Sequence, residues 1–360
     1  VIAAVERALR EHWHNPSSVH RAGQAARREV ELARQSVADL IGARAREITF
    51  TSGGTEAIDL AIRGVLAATN GALVTTRVEH AAVRDLAEEF EKSGRPVRWL
   101  KVSRDGVVDL ADLEAALAER PALVSVQWAN NETGVVQPVE EIAAACRGVG
   151  VLFHCDATQW VGKEPVEAPP GDLMTFSPHK FHGPKGVGVL WARSGVRLRP
   201  RLLGTQELGR RGGTENVPGI MGAGVAAEEA RAWLAEPSRR QELARLRDRF
   251  EQGVLAGAPG AVVNSAGARR LWNTTNIGFP RLEAEGLLML LSEQGVCASA
   301  GAACSSGSLD PSPVLLAMGV EEAVAHGSVR FSLSRHTTAA EVEGAIEVVV
   351  ACVRRLAASM

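Results

Sequence analysis

Short apolar runs bounded by glycine, proline and polar residues alternate along this chain with longer segments whose apolar positions recur every three or four residues. The first kind predicts buried strands and the second amphipathic helices. Asn15-Pro-Ser-Ser18 reads as a turn into a helix from His20 to Ile41 with an outer face rich in Arg and Glu. Ile48 to Thr51 reads as a strand, Ser52-Gly-Gly54-Thr55 as a glycine turn, and the helix after it carries apolar Ala57, Leu60, Ala61 and Val65. Strand Leu73 to Thr76, helix Ala81 to Glu91, and extended segments from Pro96 to Val102 and Leu123 to Trp128 continue the alternation. Val151-Leu-Phe153 opens a strand that carries Asp156 at its C-terminal end; Asp172 to Ser177 reads as the next strand and Gly186 to Trp191 as another. A helical region from Glu215 to Leu255 breaks at Pro237, and Trp272 to Phe279 (strand), Glu283 to Glu293 and Ala339 to Ala358 (helices) follow. This order predicts an α/β fold. A large domain with a mixed, mostly parallel sheet would span residues 1–236, and a smaller C-terminal α/β domain residues 237–360.

Polar residues gather where these strands end, the edge at which open α/β sheets bind ligands. Asp156 would sit there with Lys180, whose strand is stopped by Pro178. Taken alone, an Asp on a strand and a Lys on a turn are ordinary solvated residues. Together they supply what pyridoxal phosphate requires: an amine to condense with its aldehyde, and a carboxylate to keep its ring nitrogen protonated. The turn at Gly54 and Thr55 adds backbone N–H groups, a hydroxyl and the positive end of a helix dipole, suited to a phosphate. A glycine turn by itself often merely connects elements; its place before the Asp and Lys pair gives it meaning.

Asp156-Ala-Thr-Gln159, Ser177-x-His179-Lys180 and Gly183-Pro-Lys-Gly186-Val-Gly188 resemble the class V aminotransferase family, most nearly its cysteine desulfurase branch. The resemblance runs from Asn15-Pro-Ser-Ser18 to Arg330-Phe-Ser-Leu333 and beyond. It implies a fold-type I pyridoxal-phosphate enzyme acting as a homodimer. It places His80 over the cofactor ring, where the residue-level reading leaves a helix-capping histidine as an equal alternative. It assigns Gln159 to the phenolic oxygen, Ser177 and His179 to the phosphate, and Asn131 to cofactor or substrate. Arg330 would take the substrate carboxylate, for which a planar guanidinium is suited. Thr214, in the basic passage Gly209-Arg-Arg-Gly-Gly-Thr214, would reach the phosphate across a twofold interface, although Leu208 and Arg210 depart from the usual pattern. Pro178 also departs from it, where a small residue is usual. The family's opening Asp-x-x-Ala-Thr-Thr segment is not found, and the chain starts at Val1, as a fragment would.

The cofactor cannot choose the reaction, since it permits transamination, decarboxylation, elimination or racemisation. Cys304 can, because Cys297-Ala-Ser-Ala-Gly-Ala-Ala-Cys304-Ser-Ser-Gly-Ser has little to bury and suits a loop that presents a thiol. Cys146, Cys155 and Cys352 read as buried small hydrophobes, and Cys297 as structural on a strand before the loop. The expected reaction converts L-cysteine to L-alanine, with Lys180 moving the Cα proton and Cys304 taking the sulfur. The sulfur would pass to an acceptor, by resemblance an iron–sulfur scaffold or tRNA-thiolation protein. An aminotransferase, a selenocysteine lyase or a silent sulfur-carrier subunit are the competing readings.

At 360 residues and 46% hydrophobic, the chain can build two cores. A formal charge of −2 gives no electrostatic reason to expect nucleic acid or an anionic membrane as partner. Five cysteines without a CxxC pair suggest free thiols in a reducing compartment, with cytoplasm as the expected location. His12, His14 and His20 lack carboxylate or cysteine partners in sequence, so no metal site is expected.

Overall fold

The structure is a computed structural model and describes residues 1–301 and 310–358. Its first unit contains α1 (Ile2–Glu11), α2 (Arg21–Leu40), β1 (Ile48–Thr51), α3 (Gly54–Leu66), β2 (Leu73–Thr76), α4 (Ala81–Lys92), β3 (Val97–Leu100) and α5 (Leu110–Ala118). It continues with β4 (Leu123–Gln127), α6 (Val139–Val149), β5 (Leu152–Asp156), β6 (Leu173–Phe176), β7 (Gly188–Ala192) and α7 (Val217–Leu234). After Pro237 come α8 (Pro237–Gly257), β8 (Val262–Val263), β9 (Thr274–Gly278), α9 (Ala284–Glu293), α10 (Pro313–Ala317), α11 (Glu322–Ala325), β10 (Ser328–Ser332) and α12 (Ala339–Ala357). The segments read from periodicity are all present, most within a few residues of their expected ends.

Among the described residues, seven strands form one sheet in the order β1-β7-β6-β5-β4-β2-β3, in which only β7 runs against its neighbours. Because side chains alternate across a strand, adjacent residues feed opposite layers. Val74, Val124, Met174 and Val189 pack in a core shared with α1, α2, α5, α6 and α7, whereas Leu73, Leu123, Leu173 and Leu190 pack with α3 and α4. Helices α2 and α7 approach closely because α7 is small there: a Cβ on Gly224 would lie 2.8 Å from Ala33. A second core gathers α8, α9 and α12 on the antiparallel sheet β10-β9-β8.

Two buried polar groups hold the first sheet in register with its surroundings. Arg34 on α2 donates to both Glu207 oxygens, at 2.7 and 2.9 Å, and Glu207 also accepts from the Phe50 amide at 2.8 Å. This clamp fixes the start of the basic passage against β1. At mid-sheet, His154 lies between the Ser125 hydroxyl (2.8 Å from Nδ1) and the Thr175 hydroxyl (3.0 Å from Nε2).

Burial brings His154 down to about 3, against its ordinary 6.5. The unfolded chain therefore binds a proton between those values that the folded chain does not. Stability from this group is full above pH 6.5 and should fall by about 1.4 kcal/mol per unit as pH drops toward 3. Denaturant titrations between pH 7 and 5 would check this: His154→Gln should be less stable at pH 7 yet show a shallower acid slope. An unchanged slope would remove His154 from the acid sensitivity.

Candidate active site

Because β1, β2, β4, β5 and β6 run in one direction, their C-terminal ends open at a single edge. The residues following them line one cavity of about 430 Å³. From after β1 come Ser52 to Thr55, from after β2 Glu79 and His80, from after β4 Asn131 and Glu132, and from β5 and the turn after it Asp156, Thr158 and Gln159. Ser177, His179 and Lys180 follow β6, and Arg330 arrives from β10 of the second core. The site residues expected from sequence are thus brought together, with two exceptions. Thr214 lines a neighbouring cavity of about 210 Å³, with Ser52 and Gly186 common to both. Cys304 lies outside the described residues.

At one end of the cavity is the N-terminus of α3, capped by Gly53 without any side-chain hydrogen bond. Ser177 presses against it so closely that a Cβ on Gly54 would lie 2.4 Å from Ser177 Oγ, whereas one on Gly53 would meet open space. Glycine at 54 thus lets a hydroxyl and uncapped backbone N–H groups converge at one spot. Arg211 binds Glu56 at 2.8 Å and tethers the basic passage to the same helix turn.

Asp156 is buried at the end of β5. Burial pushes its carboxyl up; the Thr158 hydroxyl and amide, donating to Oδ1 at 2.5 and 3.0 Å, and the charges of His80 and Lys180 oppose that. His80 caps α4, its Nδ1 accepting from the Ala82 amide at 3.1 Å, and also lines the cavity, so the two readings of this residue are compatible. Across the loop after β4 the paired asparagines divide the work. Asn130 Oδ1 accepts from the Glu132 and Thr133 amides, both at 2.8 Å, and shapes the turn. Asn131 faces the cavity, its backbone oxygen accepting from Arg330 Nη1 at 3.0 Å. Asn131 Oδ1 and Arg330 Nε are buried without a hydrogen-bond partner among the described residues. Burial draws the Arg330 guanidinium down, and Glu132 opposes it.

Three site neighbours escaped the sequence reading. Glu79, pushed up to about 8 by burial, accepts from the Thr76 hydroxyl and the Gln127 amide while its Oε2 lacks a partner among the described residues. Its signal was a lone acid between a strand end and a helix start. Lys185 lines the cavity too, and Lys163 an adjoining one, so Lys180 is not the sole lysine near this edge. The cysteines follow expectation at three positions. Burial raises the Cys146 thiol to about 12 and Cys155 well above its ordinary value, and it raises Cys352 as well. Cys297 does not: it is exposed and lies in irregular chain before the isolated bridge from Ser299 to Arg330, not on a strand.

Residues 1–344 match the aminotransferase class-V family. The chain belongs to that family. Cysteine desulfurase 2 of Trichormus variabilis is 48% identical over 363 residues, covering 99% of this chain and 90% of the relative. The cysteine desulfurase NifS of Azotobacter vinelandii is 45% identical over 352 residues, with coverages of 96% and 87%. A solved NifS-like protein superposes with a TM-score of 0.90 at 35% identity, covering 99% of this chain and 95% of its own. The architecture is therefore that of a fold-type I enzyme, and pyridoxal phosphate is the cofactor of this family. The residues present fit that group. A helix end without a side-chain cap beside Ser177 suits its phosphate, the buried Asp156 carboxylate suits a ring nitrogen, and the orphaned Asn131 Oδ1 and Arg330 Nε await a donor and an acceptor respectively.

Proposed function

We propose that the cavity holds pyridoxal phosphate with Gly54, Thr55, Ser177 and His179 on the phosphate, Asp156 on the ring nitrogen, His80 over the ring and Gln159 on the phenolic oxygen. Thr214 reaches the same phosphate in a second copy of the chain, within a homodimer. The observation that carries this reading is the convergence of buried Asp156, Lys180 and the uncapped end of α3 on one cavity. The enzyme is a cysteine desulfurase: L-cysteine gives L-alanine, and the sulfur remains on the protein.

When bound, the cofactor supplies an aldehyde for the amine and a ring that accepts the electron pair released at Cα. Lys180 anchors it and carries the proton to and from Cα. Asn131 and Arg330 bind the substrate carboxylate; two N–H groups from one planar guanidinium fix its orientation. Asp156 stabilises the protonated ring nitrogen. Cys304, as thiolate, attacks the substrate sulfur: an S–S bond forms, the C–S bond breaks, and its electron pair stays with carbon, which takes a proton to become alanine. Oxidation of the sulfur is thereby balanced by reduction of the carbon. We assign the next step to a protein acceptor serving iron–sulfur cluster assembly or tRNA thiolation. Unbridged thiols at Cys146, Cys155, Cys297 and Cys352 suit a reducing compartment, and we place the enzyme in the cytoplasm. The unit from residue 237 onward we take as the smaller domain, since its core is separate.

Incubation with L-cysteine and a thiol reductant tests the reaction. Alanine and sulfide should appear in equal amounts; alanine without sulfide, or pyruvate in its place, would overturn it. Arg330→Gln should raise KM for L-cysteine roughly ten- to a hundredfold, the range for losing a hydrogen-bonded charge partner. Steady-state kinetics check this, and an unchanged KM would move the carboxylate elsewhere.

A further inference from the structure

Lys163 stands in the turn after β5, four residues beyond Gln159, and its Nζ donates to Gln159 Oε1 at 2.5 Å. The backbone on which it stands is held from both sides. Its amide donates to the Trp160 carbonyl at 3.0 Å, and its own carbonyl accepts from Trp272 Nε1 at 3.0 Å. Gln159 lines both the main cavity and an adjoining one of about 300 Å³, and Lys163 lines only the latter. The lysine therefore approaches the glutamine from behind, as seen from the cofactor cavity. Burial, with Lys180 and Arg330 nearby, brings its ammonium down to about 7, and in either protonation state the amine keeps N–H bonds to give.

The two ends of an amide are almost equal in size, so the partners decide which way it points. An oxygen held by Lys163 leaves the Gln159 NH2 as the end available to the main cavity. There a donor stabilises a negative oxygen, whereas a carbonyl would repel it.

We propose that Lys163 is a positioning residue: by holding Gln159 Oε1, it presents the glutamine NH2 to the phenolic oxygen of the cofactor. This rests on the assignment of Gln159 made above, and the experiment separates the two. The readout is the pH midpoint at which the absorbance of the bound cofactor changes, measured on the holoenzyme without substrate. An N–H donor on the phenolic oxygen favours the deprotonated form, so losing it raises the midpoint. Gln159→Leu should raise it by about one pH unit, tenfold in the protonation equilibrium. Lys163→Met should raise it nearly as far, and the double variant no further than Gln159→Leu alone. Lys163→Arg keeps a donor and should hold the parent midpoint.

If Gln159→Leu shifts the midpoint and Lys163→Met does not, the positioning role is overturned while the Gln159 assignment stands. If Lys163→Met adds its full shift on top of Gln159→Leu, the lysine acts directly through its charge, and the proposal fails. A silent Gln159→Leu overturns both. Should Lys163→Met fail to fold, a midpoint in Lys163→Arg raised as far as in Gln159→Leu overturns the proposal, and a parent midpoint there supports it.

Discussion

Replacing Lys180 with alanine should abolish covalent attachment of the cofactor and lower alanine formation by at least about 10⁴-fold, the upper range for losing one positioned proton-transfer group. The size of the effect follows from where the chain puts its amines. Lys180 lies in the short turn Pro178–Phe181 immediately after β6, one strand over from Asp156, with Pro178 at its first position. Proline sets φ there and shortens the path from strand end to amine. Lys185 lines the same cavity but follows the turn, nearer β7, and Lys163 is engaged by Gln159 in the adjoining one. Buried Pro178 and Phe181 fix the turn from which Lys180 starts, whereas Lys185 lies beyond that turn. Borohydride trapping followed by peptide mass analysis, alongside alanine release, reads both parts of the result. Cofactor trapped on Lys185 with turnover near that of the parent would show that the site chooses its lysine by proximity, and the assignment would fall.

Most of the fold could be read from sequence because its signals are local. Buried parallel strands such as β4 and β5 are short apolar runs between breakers, and α2 and α12 repeat their apolar positions with helical period. Strand direction then decides the site, since five parallel ends deliver their polar residues to one edge without further instruction. What sequence did not reveal depends on contacts between distant segments. Lys163 carries no signal of its own in the sequence: its amine meets Gln159 within the turn after β5, but distant residues of the second core, Trp272, Asn273 and Arg330 among them, complete the cavity it lines. Glu79 was passed over because an acid beside a histidine has no period; it is buried, and its Oε1 accepts from the Thr76 hydroxyl and from the Gln127 amide on a neighbouring strand. Cys297 was misread for the opposite reason. Val296 and the small residues after it resemble a strand, yet pairing with β10 is confined to one bridge at Ser299, and the thiol is left exposed. Thr214 lines its own chain's neighbouring cavity, so its assigned role depends on a second copy that no single-chain pattern specifies.

Cys304→Ser should stop alanine formation from L-cysteine, by roughly 10³-fold or more, while leaving the earlier proton transfer intact. The two steps use different groups. In the proposed assignment, removal of the Cα proton depends on Lys180, Asp156 and the Arg330 contact, and the substitution replaces none of these groups. Breaking the carbon–sulfur bond needs a nucleophile for sulfur. A thiol is partly ionised near neutral pH and its sulfur is soft, whereas a serine hydroxyl is scarcely ionised and hard. Exchange of the Cα hydrogen of L-alanine with deuterated solvent isolates the first step, because alanine has no sulfur to give. That exchange should proceed in Cys304→Ser at the parent rate, and both reactions should fail together in Lys180→Ala. Cys297 supplies the control, since it is exposed and only seven residues away in sequence. Cys297→Ser should release alanine as the parent does, and mass analysis after incubation with L-cysteine should find the added sulfur on the peptide containing Cys304. Sulfur carried on Cys297, or undiminished alanine release from Cys304→Ser, would transfer the nucleophile's role to the other thiol, and the exposed position of Cys297 makes that a fair contest.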